Sequence, residues 1–123
     1  MICLPHSLRY APLLLGLLWS NGTLAAEPAA NLLAGQQLWS QPGITKNQLQ
    51  RRCATCHGTN LTQPGQHILT GKPLAPMAAS VSPDRYQDME KVTLWLNRNC
   101  QWTFGQLCTP QQQAQLLAYL KSL

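Results

Sequence analysis

The feature that most constrains this chain is the pentapeptide from Cys53 to His57, which reads CATCH. The pattern Cys-x-x-Cys-His is the attachment motif for c-type haem. On one helical turn, two thiols three positions apart can reach the two vinyl groups of one porphyrin, and the next imidazole then lies under the iron. The motif predicts one covalently bound haem c, held by Cys53 and Cys56, with His57 as the proximal iron ligand.

Two other uses of these cysteines fit the sequence less well. A thioredoxin-like redox pair needs a βαβ context, and no such pattern surrounds the motif. A zinc site would have to add Cys100 and Cys108, whose spacing is wider than the usual spacer of two to four residues in a zinc knuckle.

Length and composition limit the remaining classes of protein. The chain has 123 residues, of which 45% are hydrophobic and 11% charged, with a formal net charge of +5. These values fit one domain with a core and exclude a multidomain enzyme or an acidic disordered protein. The only adjacent basic pair is Arg51-Arg52, so nucleic-acid binding is not indicated. A large flat cofactor would also supply core that so short a chain lacks.

The first 25 residues have the pattern of a secretory signal peptide. Residues 11–19 (APLLLGLLW) are almost wholly apolar but too short to cross a bilayer, and small residues follow at Thr23 and Ala25. We therefore expect cleavage after Ala25, a mature haem domain over residues 26–123, and a periplasmic location. Export to an oxidising compartment also predicts that the four remaining cysteines are bonded.

The rest of the chain reads as all-α with long irregular connections. Asp88 is a candidate helix N-cap, and Thr109, Pro110 and Gln112 form a capping-box pattern. Between residues 58 and 82, glycines and prolines predict a long loop without a strand. Periodicity predicts helices over residues 30–39, 47–56, 89–99 and 110–122.

The second axial ligand is left open by the residues alone. Candidates are His67, Met77, Met89 and Asn99. A methionine would give a closed electron carrier, and Met77 lies in a suitable proline-flanked loop, although only 20 residues beyond His57. Asn99 shares a helix face with Val92, Trp95 and Leu96, which is unusual for a solvent-facing asparagine.

Three further stretches carry a resemblance to a known family. They are GQHILTGKPLAP at residues 65–76, RNC at 98–100 and CTP at 108–110. Together with CATCH they make the chain, from Gly35 onward, resemble a class I c-type cytochrome. Within that class it is similar to the sphaeroides haem protein (SHP) family of asparagine-ligated, high-spin monohaem cytochromes.

The resemblance implies a fold, a ligand set and partners. The fold would be a small cytochrome c in which the N- and C-terminal helices pack together around one haem. Asn99 would be a reversible distal ligand, and Cys100 and Cys108 would form a disulfide that fixes the backbone beside it. Electrons would come from dihaem c-type and membrane b-type cytochromes, and we expect a monomer. Met77 departs from the family pattern, so it is kept as the alternative distal ligand.

Two functions follow. In the first, the protein accepts electrons, Asn99 leaves the iron on reduction, and O₂, NO or CO binds against a distal wall formed by Val92, Trp95 and Leu96. Reduction of O₂ or a related molecule would be compatible with this, but the sequence assigns no catalytic residue. In the second, His57 and Met77 ligate the iron of a plain electron-transfer cytochrome with no small-molecule chemistry.

Overall fold

Four helices and two very short hairpins make up the described part of the chain. The computed structural model describes residues 26–123, and the predicted signal peptide lies outside them. No helix in residues 26–123 is long and apolar enough to span a bilayer. The elements, in order, are α1 (Ala26–Ser40), β1 (Thr45–Lys46), β2 (Leu49–Gln50), α2 (Cys53–His57), β3 (Gly65–Gln66), β4 (Pro73–Leu74), a 3₁₀ turn (Pro83–Tyr86), α3 (Met89–Phe104) and α4 (Pro110–Lys121). The prediction of an all-α class is confirmed.

Helices α1 and α4 pack against each other, as expected for a small cytochrome c. Gly35 makes the close approach possible, because a Cβ there would overlap the Gln115 carbonyl oxygen and lie 2.7 Å from Tyr119 Cβ. Leu38, Trp39, Leu116 and Leu120 are buried in the same hydrophobic core. Helix α1 also begins four residues earlier than predicted, since alanines favour helix and proline is tolerated in a first turn.

Helix α3 begins where predicted but extends further. The Asp88 side chain accepts a hydrogen bond from the Lys91 backbone N–H at 3.0 Å, which caps its start. The prediction ended this helix at Asn99, whereas it continues to Phe104 and stops at Gly105, whose φ of 74° is left-handed. Asn99 therefore lies within a continuous helix.

The capping box of α4 forms as predicted. The Thr109 hydroxyl accepts from the Gln112 backbone N–H at 3.2 Å, and the Gln112 side chain accepts from the Thr109 N–H at 2.9 Å. Pro110 occupies the first turn, where it has no hydrogen bond to lose. The helix ends at Lys121, one residue before the predicted end.

The predicted helix over residues 47–56 is wrong. Asn47 and Gln48 have φ values of 52° and 64°, and they form the two-residue turn of the β1–β2 hairpin. Arg52 is extended, so helical structure begins only at Cys53. The loop predicted for residues 58–82 likewise contains one antiparallel pair, β3 with β4. Each strand is two residues long, and neither pair builds a sheet of any size.

Candidate haem-binding site

A cavity of about 1000 Å³ lies between α2, α3, α4 and the loops that connect them. Its wall brings together almost all the side chains that the sequence predicted for the site. Those that line it are Cys53, Cys56, His57, Met77, Val92, Trp95, Leu96, Asn99 and Cys100. Cys108 lies outside this cavity, behind the wall formed by α3.

Helix α2 presents the CATCH motif to the cavity from a firmly held turn. The Thr55 hydroxyl accepts a hydrogen bond from the Arg52 backbone N–H at 2.9 Å, which fixes the first turn. At the other end, Gly58 N–H donates to the Ala54 carbonyl at 2.9 Å, and Trp39 Nε1 donates to the Gly58 carbonyl at 3.0 Å. The long-range bond from Trp39 ties the motif to α1.

His57 is a half-buried imidazole whose ring centre lies 5.6 Å from that of Trp39. Burial, and to a smaller extent the positive charge of Arg85, lowers its pKa. Its Nδ1 atom is buried without a hydrogen-bond partner among the described residues. The neutral imidazole favoured here is the form that ligates a metal.

Cys53 and Cys56 are half-buried thiols, and neither forms a disulfide. Burial raises the pKa of Cys53 to about 11, against a smaller opposing effect of a hydrogen bond with Thr103. Redox-active dithiols have lowered pKa values, so this environment does not suit a thioredoxin-like pair. Within residues 26–123, no group of three or more His, Cys, Asp or Glu side chains converges on a metal-sized site. Two thiols and an imidazole on the wall of one cavity fit a covalently attached haem.

Gly65 contributes to the site through its lack of a side chain, which the sequence analysis did not foresee. A Cβ at this position would overlap the Cys56 carbonyl oxygen and lie 2.8 Å from His57 Cα. The β3–β4 hairpin therefore passes directly against the backbone of the motif. The glycine was visible in the sequence, but its φ is not positive, so turn chemistry alone gives no signal for it.

One wall of the cavity is a face of α3, the helix that carries Asn99. Val92 is buried there, Leu96 is half-buried, and Trp95 is 49% exposed. Asn99 is also exposed and belongs to the same wall. The helix face that periodicity identified is thus directed to the cavity.

The backbone beside Asn99 is tied to the start of α4. Cys100 and Cys108 form a disulfide, with their Cα atoms 5.5 Å apart. Both residues are buried, with Cys100 2% exposed. Thr103, one turn after Asn99, is the buried polar residue of α3, and its carbonyl accepts from Ile44 N–H at 2.8 Å.

Met77 also lines the cavity, on a backbone held from two sides. Its N–H donates to the Leu61 carbonyl at 2.9 Å, and its carbonyl accepts a hydrogen bond from the Tyr86 hydroxyl. Burial raises the pKa of Tyr86 to about 12, which keeps this donor protonated. Tyr86 was another residue that the sequence analysis missed.

The two remaining candidate ligands have other surroundings. His67 lies at the cavity wall, but its Nδ1 accepts hydrogen bonds from the backbone N–H groups of Leu69 and Thr70, both at 3.3 Å. Its imidazole therefore stabilises its own turn. Met89 is 47% exposed at the start of α3 and is not among the residues of the cavity wall.

Comparison with known proteins agrees with this site. Residues 25–120 match the family described as a domain of unknown function, DUF1924. The chain is 50% identical over 68 residues to the cytochrome c-type protein SHP of Cereibacter sphaeroides, covering 55% of this chain and 52% of that protein. It is 30% identical over 105 residues to cytochrome c'' of Methylophilus methylotrophus, covering 83% of this chain and 73% of that protein.

A solved structure extends the likeness to three dimensions. The structure of oxidised SHP, an oxygen-binding cytochrome c, superimposes with a TM-score of 0.63 at 36% identity, covering 80% of this chain and 96% of that one. The sequence match to SHP, in contrast, spans only about half the length of that relative. The chain belongs to the DUF1924 family and is a monohaem c-type cytochrome similar to SHP.

Proposed function

We propose that this protein is an exported, electron-accepting cytochrome in which Asn99 leaves the iron on reduction and makes room for O₂, NO or CO. His57 would remain the proximal ligand in both oxidation states. The observation that carries the proposal is the position of Asn99, a neutral amide on the cavity-facing side of α3. When bound, the haem supplies a one-electron couple and an axial coordination position.

The chemistry of the amide explains why Asn99 would be a reversible ligand. Its carboxamide oxygen is a hard donor, which ferric iron accepts better than ferrous iron does. Reduction should therefore weaken the bond to Asn99 without any change in the protonation of its side chain. The imidazole of His57 suits both oxidation states, so the two axial ligands respond differently to one electron.

The surroundings of Asn99 favour movement of its side chain alone. The disulfide at Cys100 and the continuous helix hold the backbone, so that movement of Asn99 would be confined to torsions about its side-chain bonds. The apolar side chains of Val92 and Leu96 would then face the incoming ligand and keep its surroundings weakly polar. SHP is an oxygen-binding cytochrome c, which supports the same class of ligand here.

Location and partners belong to the same proposal. The pattern of residues 1–25 supports export to the periplasm after cleavage behind Ala25. Electrons would arrive from dihaem c-type and membrane b-type cytochromes, as in the family that the sequence resembles, and the protein would act as a monomer.

A plain electron-transfer cytochrome is the second candidate, because Met77 also belongs to the cavity wall. Thioether ligation would close the distal position and raise the reduction potential. The hydrogen bonds from Met77 to Leu61 and from Tyr86 to Met77 restrict how far its backbone can move. This candidate therefore needs the methionine side chain to reach the iron from its present position.

Absorption spectra of the holoprotein, oxidised and reduced, with and without CO, test the two candidates. The matched variants are Asn99→Ala and Met77→Leu. We expect a high-spin ferrous protein that binds CO rapidly, an altered oxidised spectrum in Asn99→Ala, and an unaltered one in Met77→Leu. A sulfur-to-iron charge-transfer band that disappears only in Met77→Leu, together with no CO binding, would favour the plain electron carrier.

A further inference from the structure

We infer that the guanidinium group of Arg98 makes the distal side of the cavity selective for small anionic ligands such as azide or nitrite. The inference rests on the proposed function, because in the ferric protein such a ligand would have to displace the Asn99 carboxamide from the same position. The exchange transfers no electron: one oxygen donor departs and an anionic donor arrives. Arg98 would supply charge and hydrogen-bond donors beside that position.

The first observation is that Arg98 has a fixed place in the cavity wall. Its guanidinium carbon lies 4.9 Å from the centre of the Trp95 ring, and both residues line the cavity. The two residues are one turn apart on α3, so the helix itself brings them together. A cation–π contact of this kind holds the guanidinium against the ring face and leaves its N–H groups, which point outward in the guanidinium plane, available as donors.

The second observation is that Arg98 is the charged residue of α3 within one helical turn of Asn99. It directly precedes Asn99, and no other residue between Trp95 and Thr103 is charged. One turn before Asn99 the wall consists of Trp95 and Leu96, and one turn after it of Trp102 and Thr103. Any charge preference among ligands that replace Asn99 should therefore originate mainly from Arg98.

The third observation concerns the other charges of the wall. It contains Arg52, Arg85, Lys91 and Arg98 against Asp84 and Asp88, an excess of positive charge. Lys91 lies two helical turns before Asn99 on α3, and the charged groups of the wall other than Lys91 and Arg98 already have partners. Arg52 donates to the Gln50 side chain at 3.2 Å, Arg85 donates to the Ala75 carbonyl at 3.4 Å, Asp84 accepts from Gln87 at 2.8 Å, and Asp88 caps α3.

Arg98 differs from these groups because an aromatic ring, not a hydrogen-bond acceptor, is what holds it. Its donors can therefore serve an anion without breaking an existing contact. A neutral ligand gains nothing from the charge of Arg98. Loss of this charge should therefore change the ratio of the affinities for anionic and neutral ligands, and not the access of all ligands to the cavity. Because Arg98 is exposed, added salt should screen the effect.

The test is titration of the ferric holoprotein with azide and with imidazole, followed by absorption at low and at high ionic strength. We expect Arg98→Gln to weaken azide binding by about three- to tenfold at low salt and to leave imidazole binding within about twofold. Arg98→Lys keeps the charge but loses the flat face against Trp95, and it should recover part of the azide affinity. Lys46→Gln is the matched control, because Lys46 is exposed on β1 outside the cavity and its loss changes the net charge equally.

Two outcomes would overturn the inference while leaving the proposed function intact. In the first, CO binds the ferrous protein but Arg98→Gln and the wild type bind azide equally well. In the second, Arg98→Gln shifts the midpoint potential yet leaves the azide-to-imidazole ratio unchanged, which is the result expected if Arg98 holds a haem propionate instead. If neither azide, imidazole nor CO binds the wild-type protein, the proposed function fails and the inference fails with it.

Discussion

The two sides of the cavity are built in opposite ways. On the side of α2, the motif is enclosed by Trp39 from α1 and by Gly65 from the β3–β4 hairpin, and the imidazole of His57 is half-buried. On the side of α3, Trp95 and Asn99 lie on one continuous helix, whose backbone the Cys100–Cys108 disulfide ties to the start of α4. A close-packed backbone has little freedom to rearrange, whereas a side chain on a rigid helix can change rotamer without moving that helix.

In the proposed function, this difference would let a small chain keep one iron ligand constant and leave the other adjustable. On the side of α2, here called the fixed side, five consecutive residues form the motif, and distant segments of the chain pack against it. On the side of α3, here called the adjustable side, the backbone is rigid and only single side chains can change conformation. Variants that act on one side only should therefore give separable effects on haem retention and on ligand exchange.

The largest effect should come from removing the attachment points. The double variant Cys53→Ala/Cys56→Ala loses both thioether links, so the mass of the mature protein should match bare polypeptide after expression with a full maturation apparatus. The disulfide variant Cys100→Ser/Cys108→Ser is the control and should retain covalent haem. A Cys53/Cys56 variant that still carries covalent haem would contradict the assignment of the motif.

The next largest effect should come from opening the disulfide. Removing a bridge that closes a loop of this length should lower the free energy of unfolding by about 2–3 kcal/mol. Because the bridge lies behind Asn99, the loss should also broaden the distribution of ferric spin states, while the thioether links stay intact. Urea denaturation and the oxidised spectrum measure the two effects. An unchanged spectrum beside a large loss of stability would limit the bridge to a structural role.

A smaller effect is expected on the fixed side from Gly65→Ala. The added methyl group would overlap the Cys56 carbonyl and press on the His57 backbone, at a cost of about 2 kcal/mol. Gly71→Ala is the control. Its Cβ would meet only the end of the Gln66 side chain, at 3.7 Å, so the substitution adds backbone strain at a φ of 69° but no overlap with other atoms. Gly65→Ala should lower the thermal unfolding temperature of the holoprotein more than Gly71→Ala does. Equal decreases would contradict the close contact between Gly65 and the motif backbone.

The smallest effect is expected at Tyr86, on the loop between the two sides. Tyr86→Phe removes the hydrogen bond to the Met77 carbonyl and should cost about 1 kcal/mol of stability. Burial raises the pKa of Tyr86 from 10.0 to about 12, so the folded protein favours the neutral phenol. The contribution of the neutral Tyr86 phenol to the free energy of unfolding is complete below pH 10 and is lost as the pH rises towards 12.

Urea denaturation across this alkaline range measures the effect. Tyr86→Phe should lack the component of alkaline destabilisation that the wild type shows, whereas Tyr119→Phe should keep it. If both tyrosine variants lose stability in parallel with the wild type as the pH rises, Tyr86 is not the group responsible.

The sequence predicted the fold class correctly, and the residues it singled out in the CATCH motif line one cavity. The haem motif is five residues long, and the capping residues at Asp88 and Thr109 specify helix starts through bonds to their own neighbours. The prediction failed where the signal was not local. Asn47 and Gln48 adopt left-handed turn conformations within a pattern that favours helix. Helix α3 runs past its predicted end at Asn99 and stops only at Gly105.

Residues that act through tertiary contacts were also missed. Gly65 matters because a distant backbone passes it, Trp39 because its indole reaches Gly58, and Tyr86 because its hydroxyl reaches Met77. None of these partners can be identified from spacing along the chain. The cavity-facing side of α3, in contrast, followed directly from helical periodicity, since Val92, Trp95, Leu96 and Asn99 all line the cavity.

The continuation of α3 beyond Asn99 has a kinetic consequence. A residue at a frayed helix end can retreat by local unwinding, which is a slow and thermally sensitive process. Asn99 instead has more than one helical turn on either side and a covalent bridge next to it. In the proposed function, its departure from the iron would require only torsion about side-chain bonds, which is fast compared with local unfolding. Gas uptake after reduction should accordingly be governed by diffusion and bond formation, with no lag from a backbone rearrangement.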